Sequence, residues 1–199
     1  MKNLFFPILL IVCLVCSCSK EDDLKETNMI NGHEYVDLGL SVKWATYNMG
    51  ASKSEGLGDY YSWSSLEPNV GGQWLYDNPV SEISGTDYDV AHKDWGGTWR
   101  MPTRDEMQEL IDKCTWEWTS LNGMNGYKII SSNGNYIFLP AASCIHTDAH
   151  VGAEGYYWTA DRCSGNNAYN AWGLRFTDNA KYITGWNIPN LFSVRPVSN

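Results

Sequence analysis

The chain has 199 residues, enough for one domain with terminal extensions. Acidic residues outnumber basic ones 23 to 14, for a formal net charge of −9, which argues against nucleic acid and anionic membrane surfaces as partners because both demand basic patches. Ten Trp and twelve Tyr exceed what a core of this size requires; most of these rings are best read individually as core, and the surplus points to an exposed recognition surface.

At the N-terminus, Lys2 precedes an apolar run over residues 4–15. That run has the charge and length of a signal peptide and is too short to span a bilayer comfortably. Val15-Cys16-Ser17-Cys18 resembles a bacterial lipobox, with cleavage after Ser17 and Cys18 as the lipidated residue. Ser19-Lys20-Glu21-Asp22-Asp23 has the composition of a solvated linker and also resembles the surface-export signal of Bacteroidota lipoproteins. The expected organisation is a signal peptide at 1–17, a lipidated tether at 18–29 and one domain at 30–199. Removing the leader takes away Lys2 and no acid, leaving 23 acidic against 13 basic residues. Membrane contact would then come from the lipid, on the outer membrane and facing the exterior.

Asn31-Gly32 opens the domain. Residues 33–38 and 42–46 have strand character, with Gly39 as a turn or bulge between them. Residues 48–58 are rich in Gly and Ser and read as a loop, and 59–63 as a short aromatic strand. Residues 64–85 show no clean period; Pro68, Gly71, Gly72 and Pro79 mark a long loop carrying Trp74 and Tyr76. Loops of that length are usually functional or mobile. Residues 87–94 make a short helix stopped by Gly96-Gly97.

The strongest helix signal follows. Thr103 serves as N-cap and Glu106, three residues on, closes a capping box. Asp105 and Glu106 place negative charge where the helix dipole favours it. Met107, Leu110, Ile111 and Cys114 recur at i, i+3, i+4 and i+7 as one apolar stripe, while Arg104, Gln108 and Asp112 form the polar face. Beyond it, 115–120, 126–131 and 135–139 alternate as strands, punctuated by Asn122-Gly123, Asn125-Gly126 and Asn133-Gly134, the strongest short hairpin signals. A second long loop spans 141–155. Strands at 156–160, 168–176, 181–184 and 193–197 complete the chain, with Thr177-Asp178-Asn179 turning between the middle pair and 185–192 irregular. Helices confined to the first half and strands gathered after them indicate α+β: one main amphipathic helix and a shorter one packed on antiparallel sheets.

Several stretches carry a family resemblance. Gly32-His33-Glu34-Tyr35-Val36-Asp37-Leu38-Gly39-Leu40-Ser41-Val42-Lys43-Trp44-Ala45-Thr46, Gly58-Asp59-Tyr60-Tyr61, Trp95-Gly96-Gly97-Thr98-Trp99-Arg100-Met101-Pro102-Thr103, Phe138-Leu139-Pro140-Ala141-Ala142, Tyr156-Tyr157-Trp158 and Ser193-Val194-Arg195-Pro196-Val197 occur in this order. They resemble the Fibrobacter succinogenes major paralogous domain over residues 31–197. That family is similar to C-type-lectin-like and formylglycine-generating-enzyme-like folds, in which an arginine-proline-threonine element opens a helix and a terminal strand closes the domain against the first. The resemblance implies a C-type-lectin-like α+β domain with long irregular loops and its N- and C-terminal strands close together. It brings no catalytic activity or ligand with it.

The candidate chemistry is thin. Glu67-Pro68-Asn69 spells the calcium-binding tripeptide of mannose-binding C-type lectins, but here it precedes the main helix and Trp186-Asn187 is followed by Ile188. Calcium needs several convergent oxygen ligands, so the tripeptide is read as coincidence. His146, Asp148 and His150 alternate and would share one side of an extended segment, as a zinc set would; a loop tolerates such residues without a role, and neither metal nor cofactor is expected. Cys114 continues the helix stripe as a buried thiol. Cys144 and Cys163 stand where the resembled family has small or polar residues, which hints at a disulfide in an oxidising compartment, although three cysteines allow three pairings. No Cys-His or serine-elbow pattern is present, and Cys163 alone does not reproduce the cysteine pair of the formylglycine-generating enzymes.

The ligand surface is expected on the two long loops and the 185–192 turn, through Trp74, Tyr76, Trp186 and Asn187. Aromatic faces there would stack on sugar rings while Asn or Asp bonds hydroxyls; the rival reading folds those rings onto the core. The expected function is a non-enzymatic binding or adhesion module for carbohydrate, or next for a protein partner. The alternatives are a structural subunit of a surface assembly and an enzyme related to formylglycine-generating oxidases.

Overall fold

The structure, a computed structural model, describes residues 28–70, 80–144, 150–165 and 168–199. The leader with Cys18, the linker, Trp74, Tyr76, His146 and Asp148 lie outside the described residues.

In chain order the elements are β1 (Met29–Ile30), β2 (His33–Val36), β3 (Lys43–Ala45), α1 (Val90–Trp95), β4 (Trp99–Arg100) and α2 (Arg104–Lys113). They continue with β5 (Thr115–Leu121), β6 (Met124–Ile130), β7 (Tyr136–Pro140), β8 (Gly155–Arg162), β9 (Asn170–Phe176), β10 (Lys181–Asn187) and β11 (Val197–Ser198). Three sheets result, in the orders β1-β2-β3-β11-β4, β5-β6-β7 and β10-β9-β8. Their paired strands run antiparallel, and among the described residues parallel pairing is confined to the bridges Ser143–Gly155 and Tyr157–Ser193. The architecture is α+β.

Turn chemistry sets the registers. Asn31 and Gly32, with φ of 45° and 83°, join β1 to β2, and Asn122 and Gly123, at 49° and 88°, join β5 to β6. Two successive left-handed residues match the twist of the flanking strands. Asn125-Gly126 behaves differently from its expected role, because it lies inside β6 and turns nothing. A Cβ on Gly126 would stand 2.2 Å from the Leu139 carbonyl oxygen of β7, so close sheet approach demands the glycine there.

The capping box of α2 is complete. Thr103 Oγ1 accepts from the Glu106 N–H at 3.3 Å, and Glu106 Oε2 accepts from the Thr103 N–H at 2.8 Å. Met107 and Leu110 are buried; Ile111 and Cys114 pack half-buried on the same cluster, so Cys114 is less enclosed than its place in the stripe suggests. Helix α1 starts later than expected because Asp89 is its N-cap, accepting from the Ala91 and His92 N–H groups. Gly96 and Gly97, at φ of 63° and 60°, end it. The 59–63 stretch is held by one bridge, Tyr61–Phe192, and does not form a strand, because Trp63 turns its N–H to Ile188 instead.

Two apolar clusters share the β10-β9-β8 sheet. Trp158, Ala160 and Ala171 face Trp63, Trp95, Trp99 and Phe192. Their strand neighbours Tyr157, Leu174 and Phe176 face Trp44, Leu110, Ile129 and Leu139. The period-two alternation of strand side chains thus feeds both cores. Val197 of β11 lies opposite Trp44 in β3 and Arg100 in β4, so the end of the chain locks the opening strands to the strand before α2. Just before it, fully buried Arg195 donates to Asn48 Oδ1 at 2.9 Å and to the carbonyls of Ala45, Thr46 and Phe138 at 2.9–3.0 Å. Burial lowers its pKa to about 10, which still leaves a cation at neutral pH.

Candidate functional site

The Tyr60–Trp63 segment gathers three irregular stretches at one end of the domain. Tyr60 Oη donates to the Ala142 carbonyl, Tyr61 exchanges backbone bonds with Phe192, and Trp63 donates from its N–H to Ile188 and from Nε1 to Thr159. The beginnings of both long loops and the 188–192 segment therefore emerge together. Ser64 and Ser143, the first turns of those loops, have φ of 67° and 60°. A left-handed serine is uncommon, and such conformations concentrate where ligands are held.

From Ser64 the chain arcs back on itself. Asn69 donates its N–H to the Tyr60 carbonyl at 2.7 Å, and Asn69 Oδ1 accepts from the Tyr60 N–H at 3.2 Å. The Asn69 side chain thus serves as a clasp for its own loop, and Glu67 forms no ion pair among the described residues. Facing this arc is the turn before α1. Asp89 anchors it, because its Oδ2 accepts from the Gly85 and Met101 N–H groups at 2.8 Å while its Oδ1 caps the helix. Burial pushes the Asp89 carboxyl up, and its four backbone bonds oppose the shift.

Between arc and turn lies an open cleft of about 310 Å³, lined by residues 64–67, Val70, Asp87 and Tyr88. Leu66, Val70 and Tyr88 are 42%, 50% and 37% exposed. Asp87 accepts from Lys93 Nζ at 3.0 Å, an exposed pair. Among the described residues, no Lys or Arg lines the cleft. It offers an apolar wall, hydroxyls and carboxylates, a combination suited to binding small polar molecules with apolar faces.

Of the expected ligand residues, Trp186 and Asn187 lie within the described chain. Trp186 and Asn187 are the last two residues of β10, not part of an irregular turn. The Trp186 ring lies half-buried and edge-on to Tyr156 and Phe192, at 5.3 and 5.6 Å, and its buried Nε1 has no hydrogen-bond partner among the described residues. Gly185, taken as a break in the sequence, is a strand residue that lets β10 pass over Cys163, whose Sγ would stand 2.9 Å from a Cβ. Asn187 remains exposed.

The Cys144–Cys163 disulfide is not formed. Cys144 follows Ser143, which bridges Gly155 at the start of β8, whereas Cys163 follows the far end of that strand. That places them about 15 Å or more apart along the sheet, beyond the roughly 7 Å a disulfide spans. Burial raises the Cys163 thiol pKa, against a smaller lowering by Arg104, and burial also raises that of Cys114.

Sequence reasoning did not find the row Tyr156–Arg175–Tyr182, side by side across β8, β9 and β10. Arg175 donates from Nη1 to Tyr182 Oη at 2.5 Å and from Nη2 to Glu154 Oε2 at 3.0 Å, and Tyr156 Oη donates to the same Glu154 oxygen at 2.5 Å. Burial, then the bond to Glu154, push the Tyr156 phenol up to about 12. The only advance signal for this row was the Thr177-Asp178-Asn179 turn, which fixes the β9–β10 register. Its donors and acceptors satisfy one another, so it reads as a strut across the sheet. Among the described residues no three His, Cys, Asp or Glu side chains converge as a metal set, and no helix is long and apolar enough to cross a membrane.

Fold and cleft together define a class: an α+β domain of antiparallel sheets with a ligand-sized cleft between its loops. No known protein family, no curated protein and no solved structure matches the chain.

Proposed function

We propose that the protein is a lipid-anchored, surface-facing binding module of the outer membrane that recognises carbohydrate at its loop end. We further propose that its domain is C-type-lectin-like, of the Fibrobacter succinogenes major paralogous kind. The observation that carries the functional reading is the cleft of about 310 Å³ between the 64–70 arc and the turn before α1. Its volume lies at the low end of the roughly 300–1,000 Å³ of small-ligand sites. The exposed Tyr88 ring, with Leu66 and Val70, suits the C–H face of a sugar, while serine hydroxyls and the Glu67 and Asp87 carboxylates suit its hydroxyl groups. The lectin-like reading is supported by the capped helix that follows Arg100-Met101-Pro102-Thr103 and by the closing position of β11.

The test is a glycan array with the mature chain, followed by calorimetry on its hits. Tyr88→Ala and Leu66→Ser each weaken binding at least about tenfold, the loss expected of an anchor, with the melting temperature close to wild type. Wild-type affinity in both variants would move the site elsewhere. A blank array would turn the reading toward a structural subunit.

A further inference from the structure

We propose that this cleft selects sugars carrying a protonated amine, glucosamine-type units, over neutral and anionic ones; the inference rests on the carbohydrate reading above. Among the described residues, the lining holds two carboxylates, Glu67 and Asp87, and no cation. They are not equivalent. Asp87 already accepts from Lys93 Nζ at 3.0 Å, whereas Glu67 has no ion pair among the described residues. The rest of the molecule reinforces the sign, with a formal charge of −9 over the whole chain.

Three physical effects then favour an ammonium in the cleft. A hydrogen bond from N⁺–H to a carboxylate is about twice as strong as one between neutral groups. At longer range, the net negative charge of the chain attracts an ammonium and repels an anion. The Tyr88 ring adds a face that attracts cations. A neutral N-acetylated sugar keeps the stacking and loses the charge-assisted bond. An anionic sugar meets Glu67 with like charge and no compensating cation, since Lys93 is engaged by Asp87 on the rim. Hydroxyl recognition by itself would not rank the three.

The experiment is calorimetry of the mature chain with three trisaccharides at mildly acidic pH, where a sugar amine is protonated: the glucosamine trimer, its fully N-acetylated form and trigalacturonate. The glucosamine trimer binds about tenfold tighter than the N-acetylated one, and trigalacturonate does not bind. Glu67→Gln removes most of that tenfold preference. Lys93→Met, which frees Asp87, strengthens glucosamine binding severalfold. Opposite effects from those two variants are a signature that a purely structural role for Glu67 would not give. Equal affinity for all three sugars overturns the amine preference and leaves carbohydrate binding standing. Silence toward all three, with a positive array for other glycans, also overturns the amine preference alone. Silence toward every glycan overturns both readings. Trilysine bound as tightly as the glucosamine trimer overturns the sugar as the source of the amine.

Discussion

Single residues decide how closely segments of this domain approach one another. Gly185 shows this best, because its backbone is ordinary strand and only the neighbouring sulfur requires it to lack a side chain. A Cβ there would stand 2.9 Å from Cys163 Sγ, so Gly185→Ala forces the sulfur or the strand to move and costs about 1–3 kcal/mol. Cys163→Ala opens that space, and the double variant recovers most of the loss. Chemical denaturation of the two single variants and the double one measures the coupling. Purely additive losses would mean that the sulfur and β10 do not compete for the same volume. Arg195 works in the opposite sense, filling a buried position with a cation that no carboxylate among the described residues balances. Four acceptors, Asn48 and the carbonyls of Ala45, Thr46 and Phe138, take its place. An arginine fork reaches several segments at once, which a lysine cannot reproduce.

Among the elements, α2 is the one whose stability is written in its own first turn. Burial works against the Glu106 carboxylate, but the Arg100 fork, at 2.6 and 2.8 Å, and the Thr103 N–H together hold its pKa below the usual range. A carboxyl depressed in the folded state stabilises above its unfolded pKa and loses that contribution as pH falls through the folded value. The stability gap between wild type and Glu106→Gln is therefore full at neutral pH and narrows below about pH 4. Denaturation midpoints between neutral and acidic pH read it directly, and a gap that stays constant would remove the ion pair from the account. Thr103→Ala, which removes the other half of the box, costs about 1 kcal/mol. Leu110→Ala costs roughly 2–5 kcal/mol, because that side chain is fully enclosed.

At the scale of the whole molecule, one sheet serves two cores and the last strand fastens the first ones to the segment entering α2. The proposed address rests on the sequence ahead of β1. Cys18→Ser releases the protein from membranes in a fractionation assay, whereas replacing Lys20, Glu21, Asp22 and Asp23 by Ala leaves it anchored but protected from external protease. Shaving of the second variant on intact cells would refute surface export by that stretch. Much of the fold was legible beforehand for local reasons. The capping box, the apolar stripe, the glycine stop of α1 and the Asn-Gly turns at 31–32 and 122–123 are each set by interactions within a few residues. What only the tertiary structure decided is everything that depends on a distant neighbour. Asn125-Gly126 and Gly185 imitate turns in sequence, yet each glycine stands where a neighbour, the β7 backbone at Gly126 and the Cys163 sulfur at Gly185, comes too close for a side chain. Trp186 reads as a free loop aromatic and is instead packed on Tyr156 and Phe192, because the register of β10 against β9 turns it inward. The cleft follows the same logic. Glu67 and Tyr88 stand 21 positions apart with no shared pattern, and they meet because Asn69 folds one loop back on Tyr60 while buried Asp89 anchors the other. Short-range hydrogen bonds and period can be read along a chain; the proximity of its segments is settled only by packing.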